Sequence, residues 1–265
     1  MYSKYPILII ALLLVSSLSI QAQTVTYLGN EGMLIEYQGT KVIIDGLFSD
    51  PTGRFDSPSS DVVSQIIAGT KPYDNISVDL ITHAHPDHFD PISHVNFLSK
   101  NKNAVIITTP QAADSMQIKS DLYGNVANRV ITNSWSNGWK SSTIGPVVVS
   151  SAYTRHAGKA YGKVEHQIFL IKIGNKKVLH IADTQMEVSY FDDLRLIYED
   201  IDIAIVPFWF LTNLFGEEII EKHVAPKKIV GMHLPSEGNK SAVEKINQQF
   251  PKAIVFNEPG QQVSF

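Results

Sequence analysis

The sequence predicts an α/β fold in which two mixed β-sheets pack face to face with helices on their outer faces, an αββα sandwich. Three observations carry that expectation. Short apolar runs of strand length alternate with helix-like stretches from position 24 onward. The chain falls into two halves, each opening on strands and a hairpin before helices mix in. No linker, low-complexity tract or charge block separates the halves.

Residues 1–22 stand apart. Lys4 gives a positive start, an apolar run covers 7–15, and small and polar residues lead to Gln21-Ala22-Gln23, the order of a secretory signal cleaved after Ala22. A retained anchor needs roughly 20 apolar residues, and Ser16, Ser17 and Ser19 dilute this run. The expectation is an exported protein, periplasmic or secreted. Its mature part is one domain over 23–265 with no stable membrane anchor.

Residues 24–28 form a first strand ending at Gly29-Asn30. Residues 33–37 and 41–45 flank Gln38-Gly39-Thr40 as a hairpin. Residues 78–82 and 104–108 read as buried strands, and Pro110 leads into a helix near 111–117. The second half opens at 146–150. A second hairpin pairs 168–173 with 177–181 across Gly174-Asn175-Lys176, and strands at 201–206 and 228–232 close the series.

Composition excludes several chemistries. With no cysteine among 265 residues, thiolate ligands, a cysteine nucleophile and a lipidated cysteine are all ruled out. A chain this long buries enough surface to fold without disulfides, so an oxidising compartment is compatible. Net charge is −4 with no basic stripe, which argues against a nucleic-acid partner.

The chemistry concentrates in His83-Ala84-His85-Pro86-Asp87-His88, directly after the strand at 78–82. Three imidazoles and a carboxylate within six residues suit zinc when no thiolate is present. On an extended exit from a strand, His83 and His85 point the same way and can share one ion. Asp87 and His88 come round the next turn toward a second, with Pro86 stiffening the turn and Pro91 suited to the start of a helix. One loop supplies too few donors for two ions. His156, Asp183 and His233 each follow a strand-like run, and strand ends are where open sheets build sites. Asp183 is placed to bridge two ions, and Asp45 to orient a ligating histidine as an outer carboxylate. His166 is the rival to His156 as third ligand; His156 is preferred because it ends a strand. His180 reads as a core or outer-shell group, and His94 and His223 as surface histidines on helices.

Together, the histidine motif, His156, Asp183-Thr184 and His233 resemble the metallo-β-lactamase superfamily. The opening segments Thr26-Tyr27-Leu28-Gly29, Leu34-Ile35-Glu36-Tyr37 and Lys41-Val42-Ile43-Ile44-Asp45 resemble its lactonase-like branch, related to bacterial ascorbate-6-phosphate lactonase. The resemblance spans essentially all of 23–265. It implies the αββα metallo-β-lactamase fold and two zinc ions: His83, His85 and His156 on one, Asp87, His88 and His233 on the other, Asp183 between them. Manganese or iron occurs in relatives, and nitrogen and oxygen donors accept them. Two positions depart from the family pattern: Ala182-Asp183 stands for Gly-Asp, and Asp45-Gly46 for Asp-Pro. The extra methyl at Ala182 is expected to tighten its turn.

Two ions sharing a water bring its pKa to about 7, which gives a hydroxide nucleophile at neutral pH. Asp87 is the expected catalytic group, orienting that nucleophile and shuttling its proton. No Gly-x-Ser-x-Gly motif is present, so direct hydrolysis without a covalent intermediate is expected. By family analogy the substrate is an ester or lactone, with a phosphodiester as the alternative and a catalytically silent metal-binding protein as the reading from a different class. A di-iron redox centre is disfavoured because His85 stands where such proteins carry a carboxylate. The pocket is expected from loops 47–73, 111–143 and 185–218. Trp135, Trp139 and Pro207-Phe208-Trp209-Phe210-Leu211 are lining candidates, with Asn137-Gly138 turning between the tryptophans.

Overall fold

The computed structural model describes residues 23–50, 52–133 and 138–264. The expected signal at 1–22, together with Trp135 and Asn137, lies outside the described residues. Among the described residues no helix is long and apolar enough to cross a membrane.

In the first half, β1 (Thr24–Gly29), β2 (Gly32–Tyr37) and β3 (Thr40–Ile44) form an antiparallel meander. It continues in parallel through β4 (Ile76–Leu80), β5 (Val105–Thr108) and β6 (Val130–Thr132). The second half repeats the plan. β7 (Lys140–Ile144), β8 (Val147–Tyr153), β9 (Gln167–Ile173) and β10 (Lys176–His180) pair antiparallel. Then β11 (Ile203–Pro207), β12 (Lys228–Met232) and β13 (Ile254–Val255) follow in parallel. Late in the chain, β14 (Gln262–Ser264) crosses back to pair with β1, so the sheet orders are β14-β1-β2-β3-β4-β5-β6 and β13-β12-β11-β10-β9-β8-β7.

Period-two alternation explains the layering. Met33 and Ile35, Val42 and Ile44, and Val78 and Leu80 face inward against Phe169, Ile171, Ile203, Ile205 and Val230 of the other sheet. Their neighbours Leu34 and Ile43 face outward onto α1 (Ser60–Ala68), α2 (Pro91–Lys100) and α3 (Pro110–Lys119). On the far side, Leu179, Ala204 and Val206 meet α4 (Val188–Asp193), α5 (Phe208–Leu211), a π-helical turn at Ile219–Val224 and α6 (Asn239–Gln249). The result is the four-layer αββα sandwich, with both hairpins where the sequence places them.

The parallel strands decide where the site sits. β3, β4, β10 and β12 deliver Asp45, Thr82-His83, Ala182-Asp183 and His233 to one rim of the sandwich. Asp45, Ala182 and His233 adopt left-handed backbone angles there, with φ of 42°, 48° and 59°. Such turns reverse the chain as it leaves each strand and aim the side chains across the gap between the sheets. At Ala182 this accounts for the glycine of the family pattern: the left-handed angle costs an L-residue about 1–2 kcal/mol, and here the fully buried methyl is carried at that cost.

His94 is a correction. It lies on α2 as expected, but it is fully buried, stacks on Phe89 and holds Nδ1 2.6 Å from the Asp79 carboxylate of β4. The helix face carrying Val95 and Leu98 packs on the sheet, and His94 on that flank finds a strand carboxylate in place of water. His223 is partly exposed and pairs with Asp192 at 2.5 Å.

Candidate metal centre

The 83–88 loop is built by short-range hydrogen bonds. His88 N and Phe89 N both donate to the His85 carbonyl, closing a tight turn around Pro86. Asp90 caps α2 by accepting from Ser93 N at 2.7 Å, with Pro91 in the first turn. His83 and His85 emerge on one side, His83 Nε2 lying 3.0 Å from His85 Nδ1.

Distant segments complete the cluster. His156 Nε2 lies 3.1 Å from His85 Nδ1 and 3.0 Å from Asp183 Oδ2. His83 Nε2 is 3.8 Å from the same oxygen. The other oxygen, Asp183 Oδ1, is 3.1 Å from His233 Nε2. His88 Nε2 sits 3.7 Å from Asp87 Oδ2 and 3.8 Å from Asp183 Oδ2. All seven residues singled out by the sequence therefore converge, in two groups that meet at one carboxylate. Between the two rival histidines the geometry separates roles: His156 joins the donor cluster, whereas His166 is fully buried beside it with Nδ1 2.9 Å from Thr154 Oγ1.

The donors fit divalent cations. Four donors around an ion at about 2.0–2.1 Å are separated by about 3.3–3.4 Å in a tetrahedron, and the observed separations of 3.0–3.8 Å bracket that. Each group, His83/His85/His156/Asp183 and Asp87/His88/His233, has one donor atom per residue within 4.8 Å of the others. The charge balance points the same way. Glu31, Asp45 and Asp183 are buried together, and among the described residues the ion pairs they make are with histidines, not with Lys or Arg.

Outer contacts orient the donors. Asp45 accepts from Thr82 N at 2.9 Å and from the Thr82 hydroxyl, and faces His88 Nδ1 at 3.0 Å. That leaves His88 Nε2 pointing into the cluster, the role expected of Asp45. His180 is a fully buried strand histidine whose Nε2 meets the Glu31 carbonyl at 3.1 Å. Burial holds His83 and His166 well below the ordinary imidazole range, and burial together with His156 brings His85 to about 4. Neutral imidazoles with free lone pairs are the form a cation needs. Burial opposes charge on His88, but the carboxylates of Asp183, Asp45 and Asp87 outweigh it and raise its pKa to about 9. Burial likewise opposes charge on Asp183, yet His233 and His88 hold its carboxyl well below the usual range.

Two residues escaped the sequence reading. Asn30 donates through Nδ2 to the Asp87 carbonyl at 2.9 Å and to its carboxylate at 3.3 Å, fixing that side chain. Glu31 beside it is fully buried, and burial with Asp183 and Asp45 nearby raises its carboxyl well above the usual range. The only available signal was a polar pair, Asn30-Glu31, inside the two-residue connection of β1 to β2, at the same rim as Asp45.

Over the cluster opens a cavity of about 620 Å³. Asp50 shapes one wall by accepting from the backbone N–H groups of Thr52, Arg54 and Phe55 at 2.8–3.1 Å. Phe55 and Trp209 stand edge-on to His233, with centroids at 4.3 and 5.1 Å, and Tyr161 stands edge-on to His85. Loops 47–73 and 185–218 thus contribute as expected. Among the described residues of loop 111–143 none lines the cavity; Ala157, Gly158 and Tyr161 do. Its Trp139 packs into the outer core and donates to the Leu194 carbonyl at 3.1 Å, because β7 turns that part of the loop into an edge strand. Within 207–211 only Trp209 lines the cavity, while Phe210 and Leu211 are core.

A family model for the beta-lactamase superfamily domain matches residues 24–233. A UPF0173 metal-dependent hydrolase of Desulforamulus reducens is 26% identical over 253 residues, covering 89% of this chain and 97% of that protein. Another from Nanoarchaeum equitans is 30% identical over 193 residues, covering 68% and 81%. Among solved structures, the metallo hydrolase Igni18 of Ignicoccus hospitalis superposes with a TM-score of 0.61 at 16% identity, over 91% of this chain and 97% of that one. With this fold and a histidine–aspartate cluster able to hold metal at the expected rim, the chain belongs to the metallo-β-lactamase superfamily.

Proposed function

We propose that the protein is an exported metal-dependent hydrolase with a two-ion centre, acting on a small-molecule ester or lactone. One ion would be held by His83, His85 and His156 and the other by Asp87, His88 and His233. Asp183 would lie between them. The observation that carries this is Asp183 itself: one oxygen 3.0 Å from His156 and the other 3.1 Å from His233 give a single carboxylate two donor groups to join. The similar UPF0173 proteins named metal-dependent hydrolases support hydrolysis, and the imidazole-rich first position suits zinc.

Bound ions would supply Lewis acidity and bring the pKa of a water between them to about 7. The chain's own part is positioning and proton movement. Asp87 reaches the cavity with its side chain 21% exposed, held by Asn30, where it can orient that water and accept its proton. Phe55, Trp209 and Tyr161 offer apolar walls to the substrate body. Arg54 supplies the one Lys or Arg of the described lining, which favours a substrate carrying negative charge. A phosphodiester would use the same parts. Export rests on the charged, apolar and small-residue order of 1–22.

The test is metal analysis of purified 23–265 followed by ester, lactone and phosphodiester panels with and without chelator. Chelator-sensitive turnover of an ester or lactone is expected. Tightly bound metal with no turnover on any class would point instead to a metal-binding protein.

A further inference from the structure

We propose that Glu31 is an additional carboxylate ligand of the second ion, making that position oxygen-rich and selective for hard divalent cations such as manganese or ferrous iron. This rests on the two-ion reading above and adds a donor that the histidine motif does not contain.

The backbone fixes where Glu31 points. It sits in the two-residue connection from β1 to β2; its carbonyl meets His180 Nε2 at 3.1 Å, and the adjoining Asn30 carbonyl accepts from His233 N at 3.2 Å. Its side chain therefore enters the rim beside His233. One carboxylate oxygen, an Asp183 oxygen and a His233 nitrogen lie within 4.8 Å of one another. Donors on opposite sides of a six-coordinate ion are about 4.2 Å apart, so the three can share one ion. Oε2 is 3.7 Å from His88 Nδ1, but that nitrogen already faces Asp45 at 3.0 Å. Among the described residues neither Glu31 oxygen, both fully buried, has a hydrogen-bond donor, and the group beside them is the Asp183 carboxylate.

A carboxylate anion buried with no donor beside other carboxylates is costly, and a cation joining them would relieve that cost. With Glu31 counted, the second position offers Asp87, Glu31 and Asp183 beside His88 and His233. The first offers His83, His85 and His156 beside Asp183. Oxygen-rich sets suit manganese and iron, whereas imidazole-rich sets suit zinc. The two positions are chemically unequal.

The experiment is cobalt titration of chelator-stripped parent and Glu31→Gln proteins, followed by visible absorption, manganese–zinc competition and thermal melting of the stripped forms. Parent protein should bind two ions. Glu31→Gln should keep the first and weaken the second at least tenfold, gain visible absorption as coordination number falls, and lose the manganese preference. Stripped Glu31→Gln should melt above stripped parent, since the cost of burying a carboxyl among other carboxylates is gone. Should the amide variant not fold, Glu31→Asp, which withdraws the charge by one methylene, must show the same weakening. Two ions bound with parental affinity and an unchanged spectrum would overturn the role of Glu31 alone. Parent protein that takes up no cobalt would overturn the two-ion centre and this ligand with it.

Discussion

Replacing Asp45 with Asn isolates the outer carboxylate while conserving shape. In the parent, Oδ1 accepts from Thr82 N at 2.9 Å, and Oδ2 accepts from the Thr82 hydroxyl and faces His88 Nδ1 at 3.0 Å, all fully buried. An amide has one acceptor oxygen, so its nitrogen must confront a donor on one side. Leaving a buried donor unsatisfied costs about 1–3 kcal/mol, and hydrogen bonds to a charged group contribute about 1.5–3 kcal/mol each. A net loss of about 2–4 kcal/mol follows, and at roughly 2–4 °C per kcal/mol for a domain of this size the melting point should fall by about 5–15 °C. Loss of the group that orients His88 should also weaken metal binding about 10–100-fold. Calorimetry and metal titration of Asp45→Asn measure both. A melting point within about 2 °C of the parent, with unchanged metal affinity, would rule out this role for Asp45.

Asp87→Ala should abolish turnover and lower metal at one position while circular dichroism shows the fold intact; hydrolysis at the parental rate would remove Asp87 from the reaction. In the stripped protein, the His88 pKa of about 9 lies above its unfolded value, so its stabilisation is complete below about 6.5 and is lost as pH rises through about 9. His85 and His180 lie near 4, so they stabilise above about 6.5 and lose that as pH falls toward 4. Melting temperature of the stripped chain should therefore peak at a pH of about 6.5 and fall on either side, and a monotonic profile would contradict it. Ala182→Gly should change stability by under about 1 kcal/mol, because relief of the left-handed strain offsets the added unfolded-state entropy; a loss above about 2 kcal/mol in denaturant melts would show that the methyl's packing dominates.

The fold was legible because alternation is strong where both sheets bury a face. Ile43 between Val42 and Ile44 reads outward between two inward residues, and both hairpins carry turn residues at their tips. The polar edge strand β7, Lys-Ser-Ser-Thr-Ile, and the short β6, β13 and β14 lack that pattern and draw their pairing from neighbours. The site was legible where motif spacing or a strand end marked it. His94 was misread because its partner Asp79 sits on a strand that sequence distance does not connect to the helix. Glu31 and Asn30 were missed because nothing in Gly-Asn-Glu-Gly signals burial; only the tight β1–β2 connection turns them into the rim.

Anomalous diffraction from crystals grown with manganese and zinc would show whether two cations sit within this rim. Two peaks about 3.5–4 Å apart are expected, one among His83, His85, His156 and Asp183 and one among Asp87, His88, His233 and Asp183. Fully formed crystals showing no anomalous density between those side chains would contradict the two-ion centre.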